Sequence, residues 1–294
     1  MKTIKLRAYG KINFALDVIS KRSDGYHDVE MIMQSIGLYD LITIKETICG
    51  IRLNSNCKSI PLDENNIAYK AAELIITHTG IDRGVDIYLH KNIPVAAGMG
   101  GGSADAAAIL KGLNELWSLG LCIRELMDFA LSLGADVPFF ILGGTALACG
   151  IGEKLTPIKA LEDVLMLIVK PDFGVSTAQV YSMFDISKIT ERPSMPLMID
   201  ALRTRNLAAI GKNLCNVFEH VVCAMHPEVS EIKRQMIRKG ALGSLMSGSG
   251  PTVYGIFENY VQAEELYKTF KERYPESYLT HTYGSSIDII EELE

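Results

Sequence analysis

Residues Pro94 to Trp117 read PVAAGMGGGSADAAAILKGLNELW, with four glycines among the five residues from Gly98 to Gly102 and an alanine-rich run directly after them. Glycine loses more conformational freedom on folding than any other residue, so such a cluster calls for a close backbone approach. A glycine-rich turn that opens a helix brings backbone N–H groups near an anion, and the helix N-terminus adds about +0.5 of a charge. The stretch predicts a phosphate cradle followed by a helix whose buried stripe is Ile109, Leu110, Leu113, Leu116 and Trp117, with Ser103 as its N-cap. Neither familiar cradle matches. The P-loop pattern needs a lysine where Ala104 stands, and G-x-G-x-x-G belongs directly after a first strand. The cation for a bound phosphate has to come from elsewhere in the chain.

The chain has 294 residues, 48% of them hydrophobic, enough for a sizeable core divided between two lobes. Its net charge is −6, and no Lys/Arg run exceeds two residues, so the electrostatic footprint of a nucleic-acid binder is missing. MKTIKLRAYGKI lacks the apolar core of a signal peptide. The apolar stretch VPFFILGGTALAC is too short, and too broken by Gly143 and Gly144, to span a bilayer. The expectation is a protein of the bacterial cytoplasm that binds neither nucleic acid nor membrane. Six cysteines without a C-x-x-C pair and six histidines without H-E-x-x-H argue against zinc and disulfides, leaving free, mostly buried thiols.

Outward from the glycine stretch, Ile4, Leu6 and Ala8, then Ile12, Phe14, Leu16 and Val18, alternate with the period of a strand, as do Val85, Ile87 and Leu89. Asn65 to His78, with Gly80 beyond, reads as a helix. A second helix over CIRELMDFALSL ends at Gly134. Val137, preceding Pro138, is biased toward an extended conformation, which leaves Asp136 in a turn. After VLMLIVKP the composition shifts around ISKITERPSMPLMI. Strand, glycine turn and strand over ALGSLMSGSGPTVYGIF, then the helix VQAEELYKTFKER and a last strand, complete an α+β chain. The expected division is an ATP-binding domain over 1–160 and a second domain over 161–294.

Phosphoryl transfer needs a cradle, a cation for the developing charge and a group that orients or deprotonates the attacking hydroxyl. Lys11, between Gly10 and a strand, and Asp136, in a turn, are candidates, though each is ordinary alone. PVAAGMGGGSADAAA resembles the second signature of the GHMP kinases, and GSLMSGSGPTVYGIF resembles their third. AYGKINFALDVISKRSDGYHDVEMIMQSIGLYD resembles the first signature of the branch whose acceptor is 4-diphosphocytidyl-2-C-methyl-D-erythritol. The G-E-H-type opening expected of a mevalonate kinase or galactokinase is not present.

The resemblance implies a two-lobed α+β architecture, with an N-terminal lobe like domain 2 of ribosomal protein S5 and a ferredoxin-like C-terminal lobe. It implies ATP as phosphoryl donor, Mg²⁺, and a small-molecule acceptor carrying a cytidine diphosphate group, with no obligate protein partner. Lys11 and Asp136 match the catalytic pair. Pro94, Val95, Ala96, Ala97, Gly98, Met99, Gly100, Gly101, Gly102, Ser103 and Ala104 match the loop around the ATP phosphates. Asn13, Tyr26 and His27 match the acceptor site, where an aromatic face and an imidazole suit a nucleobase; on its own, DGYH also reads as a turn with a surface histidine. Ser103 is a candidate for Mg²⁺ or a phosphate oxygen, or a plain N-cap, and the other metal ligands stay open. Tyr181 either closes the other face of the base or packs in the core. Gly248 and Gly250 pack against the loop or simply form a tight hairpin. An RNA-binding module on the same N-terminal fold is the alternative from another class, and the acidic balance argues against it.

Overall fold

The alternation at the N-terminus becomes a pair of long strands, β1 (Thr3–Lys21) and β2 (His27–Thr47), joined antiparallel. Only every second residue of β1 is buried up to Ala8, whereas Ala8 to Val18 is buried throughout. The change arises because Ile4, Leu6 and Ala8 face one core, while Ile12, Phe14 and Ala15 belong to another shared with Met166, Ile168 and Tyr254. The computed structural model describes residues 1–293.

The first sheet continues with β3 (Ile51–Ser55), α1 (Ile67–Thr79), β4 (Gly84–His90), α2 (Gly101–Leu116), α3 (Ile123–Leu133), α4 (Val137–Leu142), β5 (Thr145–Gly150) and β6 (Lys154–Ile158). The chain then runs through β7 (Leu165–Val169), α5 (Thr177–Met183), α6 (Met195–Arg203), α7 (Leu207–Lys212), β8 (Cys215–Asn216), α8 (Glu219–Met225) and α9 (Pro227–Arg238). It closes with β9 (Gly243–Met246), β10 (Val253–Ile256), α10 (Tyr260–Arg273), β11 (Ser277–His281) and β12 (Ile287–Leu293). The first sheet has the order β12-β1-β2-β4-β3, with β5 beside β2, β6 beside β5 and β8 beside β1. The second, β11-β7-β10-β9, is antiparallel throughout and ferredoxin-like in order. Two segments from beyond residue 160, β8 and β12, thus complete the first sheet. Among the described residues, no helix is long and apolar enough to cross a membrane.

Three local expectations change. Ser103 is not the N-cap of α2: Ala104 N–H already donates to Gly100 O, so the helix begins earlier and Gly100, at φ +70°, is the cap. Val137 is helical rather than extended, because Pro138 falls in the first turn of α4, where its missing N–H costs nothing. The cysteines are free but not mostly buried: Cys49 and Cys122 are exposed and the other four half-buried.

A buried ionic cluster ties β2 and β4 to α2. The Lys91 ammonium, just past β4, donates to Asp40 of β2 and, at 2.5 Å, to Asp105 of α2. Asp40 also accepts from the backbone N–H groups of Asn92 and Ile93. Both ends of the glycine loop are therefore held by one ammonium group. Burial favours the neutral acid, Lys91 opposes this and Asp40 adds to it, and together they push the Asp105 carboxyl up to about 8. Because an Asp ionises near pH 4 when unfolded, the folded state keeps a proton that the unfolded chain has lost between about pH 4 and 8, and this contribution to stability falls as the pH rises through that window. The Tm advantage of the wild type over Asp105→Asn should shrink between about pH 5 and 8 in thermal melts. A difference that is flat or grows with pH would mean that Asp105 is ionised in the folded protein.

Candidate active site

Lys11 lies beside a break in strand register, where Tyr9 pairs with Tyr39 but Lys11 pairs with Ser35, and such irregularities re-aim side chains. It is 4% exposed, and its backbone N–H donates to Met99 O at 3.0 Å, docking β1 against the glycine loop. Its ammonium donates to Asn13 Oδ1 at 2.8 Å and lies 3.8 Å from Asp136 Oδ2. Asn13 is fully buried and anchored from the second sheet by Tyr254, whose hydroxyl donates to Asn13 O at 2.8 Å. Burial pulls the Lys11 pKa below the ordinary lysine value, and the Asp136 charge offsets only part of that pull. Asp136 occupies the N-cap position of α4 without capping it, so its carboxylate, 36% exposed, is left for Lys11 and the cleft.

The glycines answer to close packing. Gly98 has φ +73°, and a β-carbon there would lie 2.2 Å from Ser247 O, in the turn between β9 and β10. Ser247 Oγ donates to Gly98 O at 2.9 Å, so the two glycine turns interlock. Gly100 presses against the Phe140 ring, where a β-carbon would lie 2.6 Å away. A β-carbon on Gly248 would lie 3.4 Å from Lys11 Nζ. Gly102, by contrast, has room for one.

A cleft of about 460 Å³ opens above this junction. Its wall includes Lys11, Asp136, Pro94 to Gly98, Gly100 to Ser103, and Gly248. Met99 and Ala104, in the same loop, are buried beneath it. Tyr181 of α5 lines the cleft, and its ring centroid is 4.9 Å from His27 and 4.8 Å from Phe218. Burial, then the Asp136 charge, pushes the Tyr181 hydroxyl up to about 12, which keeps it a neutral donor. Burial and, second, Lys21 pull the His27 pKa down, favouring the neutral imidazole. Tyr26 stands apart from these rings. It is 61% exposed at the tip of the β1–β2 connection, with its backbone N–H on Asp24 Oδ1. Asn13 reaches the cleft only through Lys11.

Several residues of the site escape sequence reading. Lys91 and Asp105 reach the cleft wall beneath the glycine loop, and a lone acid inside the alanine run SADAAA was their one signal. Thr177 and Ser249, also on the cleft wall, bond through their hydroxyls at 2.8 Å. Ile60, Pro61 and Ile67 line an apolar end of the cleft with Asn65 and Asn66. Among the described residues, no group of three or more His, Cys, Asp or Glu could hold a metal ion.

A buried ammonium, a partly exposed carboxylate and a helix N-terminus converging on one cleft suit a ligand with phosphate groups. Residues 66–144 match the family model described as GHMP kinases N terminal domain, and residues 198–276 match GHMP kinases C terminal. The chain is 50% identical over 285 residues to the 4-diphosphocytidyl-2-C-methyl-D-erythritol kinase of Alkaliphilus metalliredigens, covering 97% of this chain and 98% of that one. It is 48% identical to the enzyme of the same name from Clostridioides difficile, covering 98% of each. A crystal structure of 4-(cytidine 5'-diphospho)-2C-methyl-D-erythritol kinase superposes with a TM-score of 0.83 at 31% identity, covering 96% of this chain and 100% of that one. Likeness at that level over almost the whole length, with both kinase domains matched, means that the chain belongs to the GHMP kinases, and among them to the 4-diphosphocytidyl-2-C-methyl-D-erythritol kinase family.

Proposed function

We propose that this chain transfers the γ-phosphoryl group of ATP to the 2-hydroxyl of 4-diphosphocytidyl-2-C-methyl-D-erythritol, giving the 2-phosphate and ADP, a step in non-mevalonate isoprenoid precursor biosynthesis. The observation that carries the reading is the Lys11–Asp136 pair, 3.8 Å apart and facing the glycine loop across one cleft. GHMP kinases use ATP, and the loop from Pro94 to Ala104 would wrap its phosphates, with the backbone N–H groups of Gly101, Gly102 and Ser103 in the first turn of α2 as donors. In this reading the reaction runs in the bacterial cytoplasm on small-molecule substrates, with no obligate protein partner. The division into 1–160 and 161–294 remains part of the proposal, with β8 and β12 as returns into the first sheet.

In this reading Asp136 accepts a hydrogen bond from the acceptor hydroxyl, orients it toward the γ-phosphorus and takes its proton as the new O–P bond forms. Lys11 pairs with Asp136 at 3.8 Å and stands where charge grows on the transferring oxygens. Its buried ammonium has little competition from water, so its field on the phosphoryl group is strong. His27 and Tyr181, with rings 4.9 Å apart, form an aromatic wall suited to cytosine; of the other two residues in the proposed acceptor set, Asn13 acts through the Lys11 ammonium that it holds, and Tyr26 would have to reach the base from its exposed position beside His27. With no carboxylate cage among the described residues, the site suits Mg²⁺ held mainly by ATP oxygens and water, with the half-buried Ser103 hydroxyl as its protein contact. When bound, the ion would neutralise triphosphate charge.

Three outcomes test this reading. ADP release should require the cytidyl acceptor, with methylerythritol 4-phosphate and mevalonate inactive as controls; equal turnover on either control would reassign the substrate. Asp136→Asn, which disturbs no cap but removes the charge opposite the buried Lys11, should fold with a lowered Tm and reduce kcat by about 10²- to 10⁴-fold when assayed below its melting range, and Lys11→Met should lower kcat by about 10²- to 10³-fold. Because the Lys11 pKa is depressed, ATP affinity should decline toward alkaline pH earlier than an ordinary lysine would dictate. Asp136→Asn, lacking the charge that supports the ammonium, should shift that decline to still lower pH in calorimetric titrations.

A further inference from the structure

Within Asn216-Val217-Phe218-Glu219, Asn216 and Glu219 have no place in the chemistry above, yet they grip the turn that covers Lys11. Asn216 ends β8, which pairs parallel with Ala15 and Leu16 of β1, and is 4% exposed. Its side-chain amide donates to Met246 O and to Gly248 O, each at 2.8 Å, while its Oδ1 accepts from Phe218 N at 3.0 Å. Both amide hydrogens and the carbonyl oxygen are thus committed. Glu219, three residues on, accepts from Met246 N through Oε1 at 2.8 Å and from Lys233 Nζ through Oε2 at 2.5 Å. Neither Asn216 nor Glu219 lies on the wall of the cleft. The turn they hold does: Ser247 donates to Gly98 O of the glycine loop, and Gly248 packs over the Lys11 ammonium.

We propose that Asn216 and Glu219 are positioning residues that set the Ser247–Gly248 turn, and through it Lys11 and the glycine loop, for phosphoryl transfer. The turn approaches Gly98 so closely that it cannot shift without moving either the loop or Lys11. Two carbonyls and one N–H of residues 246–248 are fixed from β8 and α8, elements outside the reaction. The inference rests on the kinase reading, because the geometry it protects is that of the donor phosphates.

The test is a double-mutant cycle of Asn216→Ala and Ser247→Ala, read by ATP affinity in calorimetry and by turnover with both substrates, on variants whose melting curves show full folding at the assay temperature. Asn216→Ala should weaken ATP binding about tenfold and lower kcat by about 30- to 100-fold, the size of effect that a misplacement near 1 Å can cause, with the acceptor KM within about twofold of wild type. The double variant should lose little more than Asn216→Ala alone, because both substitutions act through one turn. Glu219→Gln, which can still accept from Met246 N–H, should keep most activity, and Glu219→Leu should not. Multiplicative losses in the cycle, or a folded Asn216→Ala with wild-type ATP affinity and kcat, would overturn the proposal. If Asn216→Ala does not fold, the cycle of Glu219→Leu with Ser247→Ala decides by the same criterion. A wild type that binds ATP but ignores the cytidyl acceptor would sink the substrate reading alone, since the cycle on ATP affinity still reports on the turn. A wild type that binds no ATP would overturn both.

Discussion

Burying the Lys11 ammonium is the constraint around which the cleft is organised. Removing an isolated charge of this size from water costs several kcal/mol even after the protein relaxes, so its surroundings must offset that cost. They do so from four directions: Asn13 accepts a hydrogen bond, Asp136 supplies the opposite charge, Met99 O fixes the backbone and the Gly248 turn closes the space above. The depressed pKa shows that the compensation is incomplete. An arriving anion would supply the remainder, and a site poised in this way binds phosphate groups more strongly than a fully satisfied one.

Lys91 makes the contrast. Its side chain is as buried as that of Lys11 but lies against two buried acidic side chains, Asp40 and Asp105, and although burial alone would lower its pKa, they hold it above the ordinary lysine value. With its charge spent on Asp40 and Asp105, Lys91 secures the two ends of the glycine loop. Lys11 has one acidic partner, farther off and 36% exposed, and keeps its field for the cleft. Two lysines on neighbouring elements thus divide structural and chemical work according to how many acidic side chains each meets.

The glycine loop and α2 were legible in sequence because their signals are local: positive φ, an absent side chain and an apolar stripe at helical spacing. Strand alternation in β1 and the SGSG turn were legible for the same reason. The boundary at Ser103 was not, since Gly100 reaches a left-handed conformation that lets the helix start sooner. Val137 followed the helix rather than its proline neighbour, because the first turn of a helix forgives a missing N–H. Lys11 and Asp136 were recognisable through family resemblance, but nothing in the spacing of two residues so far apart in the chain says that they meet.

The sequence by itself determined the fold class, the glycine-rich loop that opens α2 and the family, since each is written in contiguous motifs whose physics is local. Only the tertiary structure decided how those motifs serve one another. It set Lys11 against Asp136, turned Tyr181 onto His27 while leaving Tyr26 in solvent, buried Asp105 against Lys91, and brought the β9–β10 turn into backbone contact with Gly98. The reason is that charge pairing, burial and backbone approach depend on distances between segments far apart in the chain. Those distances exist only once β1 has been packed between two cores and the second sheet has closed over it.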